Sequence, residues 1–235
     1  MLYTVFDFEF TQLIPELGNP WPSELKISCG SLLSTGDIFP QVWYEKVTCG
    51  TDEIGDHMSE STLSDFVDEL IRRTSNGHAI VTWGGSATDW RMLHKECPQR
   101  SDSIKSLALN SIDIPMCSCV TIGMMMGLNS ACRALGYDLK ADASSHDMPR
   151  LWLENRPKVL QHVSNDSFAT MVVLKQAEIT GMLPWLTSKG TIKVWNVKFL
   201  TVSDCLKMDL PVVPFKILPH FNAKLLARWL LLGTD

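Results

Sequence analysis

The chain has 235 residues, 45% hydrophobic and 20% charged, with a formal net charge of −5. That length and balance are enough for one good-sized domain with a real core. They exclude a disordered chain and a basic protein that coats duplex nucleic acid tightly and without specificity. No apolar stretch reaches the roughly 20 residues of a membrane span, and the short LLARWLLLG run carries Arg228, so no membrane partner is expected. The N-terminal apolar run has no basic lead-in and ends in acids, which argues against a signal peptide and for a cytoplasmic protein. Seven scattered cysteines without a CxxC pair predict reduced, packed thiols, and Cys117-Ser-Cys119 lacks the second ligand pair that zinc requires.

MLYTVFDFEF, residues 1–10, reads as a strand whose alternation puts Asp7 and Glu9 on one face and Phe6, Phe8 and Phe10 on the other. Two like charges side by side at the end of an apolar strand are costly unless a cation neutralises them, so a bound metal is the simplest explanation. Residues 15–22, rich in proline and glycine, form a surface loop. Strands follow at 24–34 and 38–47, joined by a tight turn at Thr35-Gly36-Asp37. Leu63, Phe66, Val67, Leu70 and Ile71 fall at helical spacing, which predicts a helix over 62–74 with Thr62 as its cap. HAIVTW, residues 78–83, is a short buried strand ended by Gly84-Gly85, and a helix carrying Asp89, Trp90, Leu93 and His94 follows. Residues 111–137 read as mostly helical, broken at Gly127-Leu128-Asn129.

The longest helix opens at Asn155-Arg156-Pro157 and runs to about Thr180, where Gly181 stops it. His162 and Asp166 lie four apart and project from one face of it. Residues 184–196 alternate on both sides of Ser188-Lys189-Gly190 and form a hairpin, and a proline-punctuated stretch then leads to an apolar helix at 222–232. The order of strands and helices predicts an α/β sheet protein, with residues 1–182 as the domain and 183–235 as an appendage packed on it.

Taken singly the later acids have plain readings: Asp89 as a helix cap, Asp166 as a solvated helix residue, His162 as a packing histidine. Taken together, Asp7, Glu9, Asp89, Asp166 and His162 point to a two-metal phosphodiesterase. The set resembles the DEDD superfamily of 3′-5′ exonucleases on the ribonuclease H-like fold. Asp7-Phe8-Glu9 matches its acid-x-acid at the end of the first strand, Trp83-Gly84-Gly85-Ser86-Ala87-Thr88-Asp89 its aspartate after a strand and glycine turn, and His162 with Asp166 its late helix. Ala134-Leu135-Gly136-Tyr137 and Met148-Pro149-Arg150-Leu151-Trp152 resemble the lead-in of bacterial predicted ribonuclease H-like exonucleases. Two departures stand out. Phe10-Thr11-Gln12 replaces the family's Thr and Gly, and His162 occupies the position of the tyrosine branch while Gln161 occupies that of the histidine branch.

The resemblance implies a mixed central sheet flanked by helices, and a pair of Mg²⁺ or Mn²⁺ ions. Asp7, Glu9 and Asp166 would hold one ion; Asp89, with Asp7, would hold the other. Hard oxygen ligands dominate, with no thiol or imidazole set in competition. His162 would orient the attacking water or take its proton. The substrate implied is the 3′ end of single-stranded DNA or RNA, with Phe8, Phe10, Thr11, Trp83 and Arg150 as candidate contacts. A catalytically weak binding protein on the same fold and a ribonuclease H-type endonuclease are the alternatives.

Overall fold

The computed structural model describes residues 1–15, 21–47, 53–137, 144–213 and 222–231. Parts of the 15–22 and 38–47 to 59 connections, and Cys49, Lys140, Pro214, Pro219 and Leu232, lie outside these residues. Strands β1 (Leu2–Phe10), β2 (Ile27–Ser34), β3 (Gln41–Tyr44), β4 (His78–Thr82) and β5 (Ile112–Asp113) form a five-stranded sheet in the order β3-β2-β1-β4-β5. β1 pairs antiparallel with β2 and parallel with β4, and β4 pairs parallel with β5, so the sheet is mixed. The protein is α/β, with helices on both faces.

Alternation along β1 sorts the two faces. Phe6, Phe8 and Phe10 pack against Leu63 and Phe66 of α1 (Glu60–Ser75), Trp90 of α2 (Asp89–Glu96) and Ile104 of α3 (Ser101–Asn110). The Phe6 ring meets Trp90 edge-on at 4.8 Å and Phe66 at 5.6 Å. On the opposite face, Tyr3, Val5 and Val81 meet α4 (Ile114–Ile122), α5 (Leu128–Ala134) and other helices. Cys29 meets Trp152 of α6 (Met148–Glu154) and Val159 and Val163 of α7 (Arg156–Thr180). α7 crosses β1 and β2 on that face. It has the bounds its sequence predicts: the Asn155 side chain accepts from the Lys158 N–H, and Gly181 ends it in the left-handed region at φ 68°.

Several elements differ from expectation, and α3 and α6 fall where the sequence predicts no helix. α1 starts at Glu60 because Ser59, not Thr62, caps it, the Ser59 hydroxyl accepting from the Thr62 N–H at 3.2 Å. The span 111–137 opens with β5, whose two residues are too few to show a period, before α4. The final apolar run is two short helices, α9 (Ala223–Leu226) and α10 (Arg228–Leu231), which follow a hairpin of β6 (Met182–Leu186) and β7 (Ile192–Asn196) and α8 (Val202–Lys207). Leu183, Trp195 and Cys205 from this C-terminal portion are buried in the same cluster as Tyr3 and Val5. The described cysteines are buried. Among the described residues no helix is long and apolar enough to cross a membrane.

Candidate functional site

Asp7 and Glu9 leave the end of β1 on the α7 side. In the β1 and β2 register Asp7 stands opposite Ser31, Phe8 opposite Gly30 and Glu9 opposite Cys29, but Phe10 stands opposite Ile27. Ser28 is therefore an extra residue on β2, a bulge that bends the ladder beside the acid pair. Gly30 is needed there for a different reason: a Cβ on it would lie 2.5 Å from the Phe8 ring. Cys29 sits beside Glu9, yet burial first, and the Glu9 and Asp7 carboxylates next, push its thiol well above the usual range.

α7 brings His162 and Asp166 to the same place. The Ser167 hydroxyl donates to the Ser31 carbonyl at 3.3 Å, docking the helix on the residue paired with Asp7. His162 Nε2 lies 3.6 Å from Glu9 Oε1 and 3.8 Å from Asp166 Oδ2, with each of the three side chains at most 10% exposed. One ligand atom from each of Glu9, His162 and Asp166 falls within 4.8 Å of the others.

Asp89 arrives at the first residue of α2. β4 ends at Thr82, so beyond it the Phe8 N–H takes its partner from α2 and donates to Asp89 Oδ1 at 2.9 Å. The Thr88 hydroxyl donates to Oδ2 at 2.8 Å. Burial pushes the Asp89 carboxyl up to about 6, the nearby Asp113 carboxylate adds to this, and the Thr88 and Phe8 donors oppose it. Asp113, outside the predicted set, accepts from the Ser86 N–H at 2.8 Å and the Met116 N–H at 3.1 Å, and burial raises its carboxyl too. An aspartate followed by a proline two residues on, at the start of a helical stretch, is a capping pattern that marks it. The loop it pins also closes on β4, since a Cβ on Gly85 would lie 2.7 Å from the Thr82 side chain. From the C-terminal portion, the Trp229 indole N–H donates to the Ser86 carbonyl at 2.8 Å.

A cleft of about 530 Å³ opens on these elements, and Asp7, Glu9, Asp89 and Asp166 all line it. His162 does not. Trp83, Pro115, Met125 and Met126 give the cleft an apolar wall, and Trp83 is fixed by its indole N–H donating to the Met126 carbonyl at 2.9 Å. His146 also lines it, in the short turn before α6 that Ser144 caps. Among the described lining residues there is no lysine or arginine.

The remaining predicted contacts fall elsewhere. The Phe8 ring is 3% exposed and packs on Phe66, and Phe10 is buried in the same cluster, so both rings belong to the core although their backbone borders the cleft. The Thr11 hydroxyl accepts from the Lys26 N–H at 3.0 Å and ties the end of β1 to the start of β2. Arg150 is 61% exposed and pairs with Glu154 at 2.6 Å and Asp147 at 3.8 Å, away from the lining.

No protein-family profile matches the chain, and no curated protein matches it.

Proposed function

We propose that the chain is a metal-dependent 3′-5′ exonuclease that hydrolyses single-stranded nucleic acid on a ribonuclease H-like fold. The observation that carries this is the arrival of Asp7, Glu9, Asp89 and Asp166 at one cleft from β1, α2 and α7. Acids far apart in sequence are brought together at a desolvation and repulsion cost that structure alone does not require. Hard carboxylate oxygens facing an open cleft fit Mg²⁺ or Mn²⁺. The sheet order β3-β2-β1-β4-β5, with β2 antiparallel to β1, is compatible with the proposed fold.

On this reading Asp7, Glu9 and Asp166 would hold one divalent ion, and Asp89 with Asp7 a second; bound there, such ions would lower the pKa of water and neutralise charge on the leaving oxygen. The rest of the task falls to the chain's own groups. Trp83, with Met125 and Met126, offers a flat apolar wall for a base, while the acids face the phosphate side. On this reading the cations meet the phosphate charge, and binding without metal should be weak. A cleft of about 530 Å³ is in the size range of small-ligand pockets and takes a strand end rather than a duplex. Thr88, Asp113 and the Phe8 N–H hold Asp89 and its loop in position, so the carboxylates need not reorganise when a cation arrives.

The test uses purified protein with 3′- or 5′-labelled single-stranded DNA and RNA, in Mn²⁺ or in EDTA. The expected result is metal-dependent shortening from the 3′ end that Asp7→Ala abolishes. Internal cuts would favour the endonuclease, and no cleavage of either nucleic acid would end the proposal.

A further inference from the structure

We propose that His162 is itself a metal ligand, so that Glu9, His162 and Asp166 form a mixed nitrogen and oxygen site that takes a borderline divalent ion, Mn²⁺ or Co²⁺, in preference to Mg²⁺. This rests on the reading that the carboxylates hold a divalent cation, and departs from the water-activating role that the family resemblance implies for His162.

Position comes first. A base that deprotonates water must present its nitrogen where the water is, and His162 does not line the cleft, whereas Glu9 and Asp166 do. Its Nε2 is directed at the two carboxylates instead, at 3.6 Å and 3.8 Å. Both separations exceed the roughly 3 Å of a hydrogen bond to nitrogen. They approach the spacing of two ligands on one ion: with metal bonds of about 2.1 Å, ligand atoms at tetrahedral or octahedral angles lie roughly 3 to 3.5 Å apart. A small inward turn of the side chains closes the difference. The helix supplies the second argument, because residues four apart on α7 project together, the spacing by which a single helix offers two ligands to one metal.

Chemistry then selects the ion. An imidazole nitrogen is a good donor to Mn²⁺, Co²⁺ and later metals and a poor one to Mg²⁺, which demands oxygen and keeps much of its water.

Metal binding to the full chain, read without any nuclease assay, tests this. Isothermal titration of wild type, His162→Ala and His162→Gln with Mn²⁺ and with Mg²⁺ should show Mn²⁺ affinity weakened by about tenfold or more in both variants, and Mg²⁺ affinity changed by less than about threefold. Pulsed electron paramagnetic resonance of the Mn²⁺-loaded wild type should show coupling to a ligand nitrogen, absent in His162→Gln. That signal decides the matter if the alanine variant fails to fold. Mn²⁺ bound by wild type without nitrogen coupling, or with affinity unchanged in the variants, overturns the ligand role and leaves the carboxylate site standing. Wild type that binds no divalent ion removes both.

Discussion

The two faces of β1 receive the same strand and do opposite things with it. Phe6, Phe8 and Phe10 are closed over by α1, α2 and α3 at 8% exposure or less, a face of ring against ring. One residue out of phase, Asp7 and Glu9 meet α7, which answers them with another carboxylate and an imidazole rather than with apolar cover. A strand's period of two keeps these tasks from interfering, because no side chain has to serve both. The aromatic face holds the strand rigid, and that rigidity lets the acid face keep its like charges together.

That division can be broken from either side. The largest effect belongs to the acid face: Asp7→Ala or Asp166→Ala should take the proposed nuclease turnover to background while thermal unfolding in EDTA stays level or moves upward, since repulsion is relieved. Unfolding of either variant would show that the acid is structural. From the aromatic face, Phe6→Ala should cost about 3–5 kcal/mol of stability, a large part of a typical domain's total, as read by urea unfolding with an unchanged slope. Loss of less than about 1 kcal/mol would deny that face its role. Gly30→Ala should cost about 1–3 kcal/mol by forcing the Phe8 ring aside. The double variant Gly30→Ala with Phe8→Leu should recover part of it, and strict additivity would contradict the contact.

A subtler test uses pH. The Asp89 carboxyl ionises near 3.9 in an unfolded chain but only at about 6 in the folded one, so between those values the native state holds the extra proton. Its contribution to stability therefore falls as pH rises through that window and levels off above. The gain in melting temperature of Asp89→Asn over wild type, both metal-free, should grow from about pH 4 to about pH 6 and then stay constant. A difference that shrinks with pH would reverse the sign and discredit the burial argument. Smallest of all, Trp229→Phe removes the hydrogen bond to the Ser86 carbonyl and should cost about 1 kcal/mol. The rate of the proposed reaction should drop more than in Trp195→Phe, which changes a β7 tryptophan whose indole N–H makes no hydrogen bond among the described residues.

Local signals made part of this legible. The alternation in residues 1–10, the asparagine and proline that open α7 and the glycine that stops it act within a few residues, and each fell where the residue types dictate. What the sequence concealed depends on distant partners. β5 is two residues long and exists because β4 lies beside it. Asp113 gains its meaning only from the Ser86 and Met116 amides it accepts. Spacing told that His162 and Asp166 share a helix face, and that Glu9 would join them came only from the family resemblance. Phe8 and Phe10 are instructive in the other direction: the alternation that separates the acids from them already assigned their rings to the buried face, and nearness in sequence to the acid pair outweighed it.

The bond from Trp229 to Ser86 spans 143 residues of sequence. Contacts of such separation form late, because a long loop must close before they return any stabilisation. Residues 223–231 therefore set the order of events in folding. The aromatic core around Phe6 can assemble from α1, α2, α3 and the sheet, while the loop leading to Asp89 receives its last anchor only when Trp229 docks on Ser86. Burst labelling of amides during refolding should find the Phe8 N–H, which donates to Asp89, protected later than those within α1.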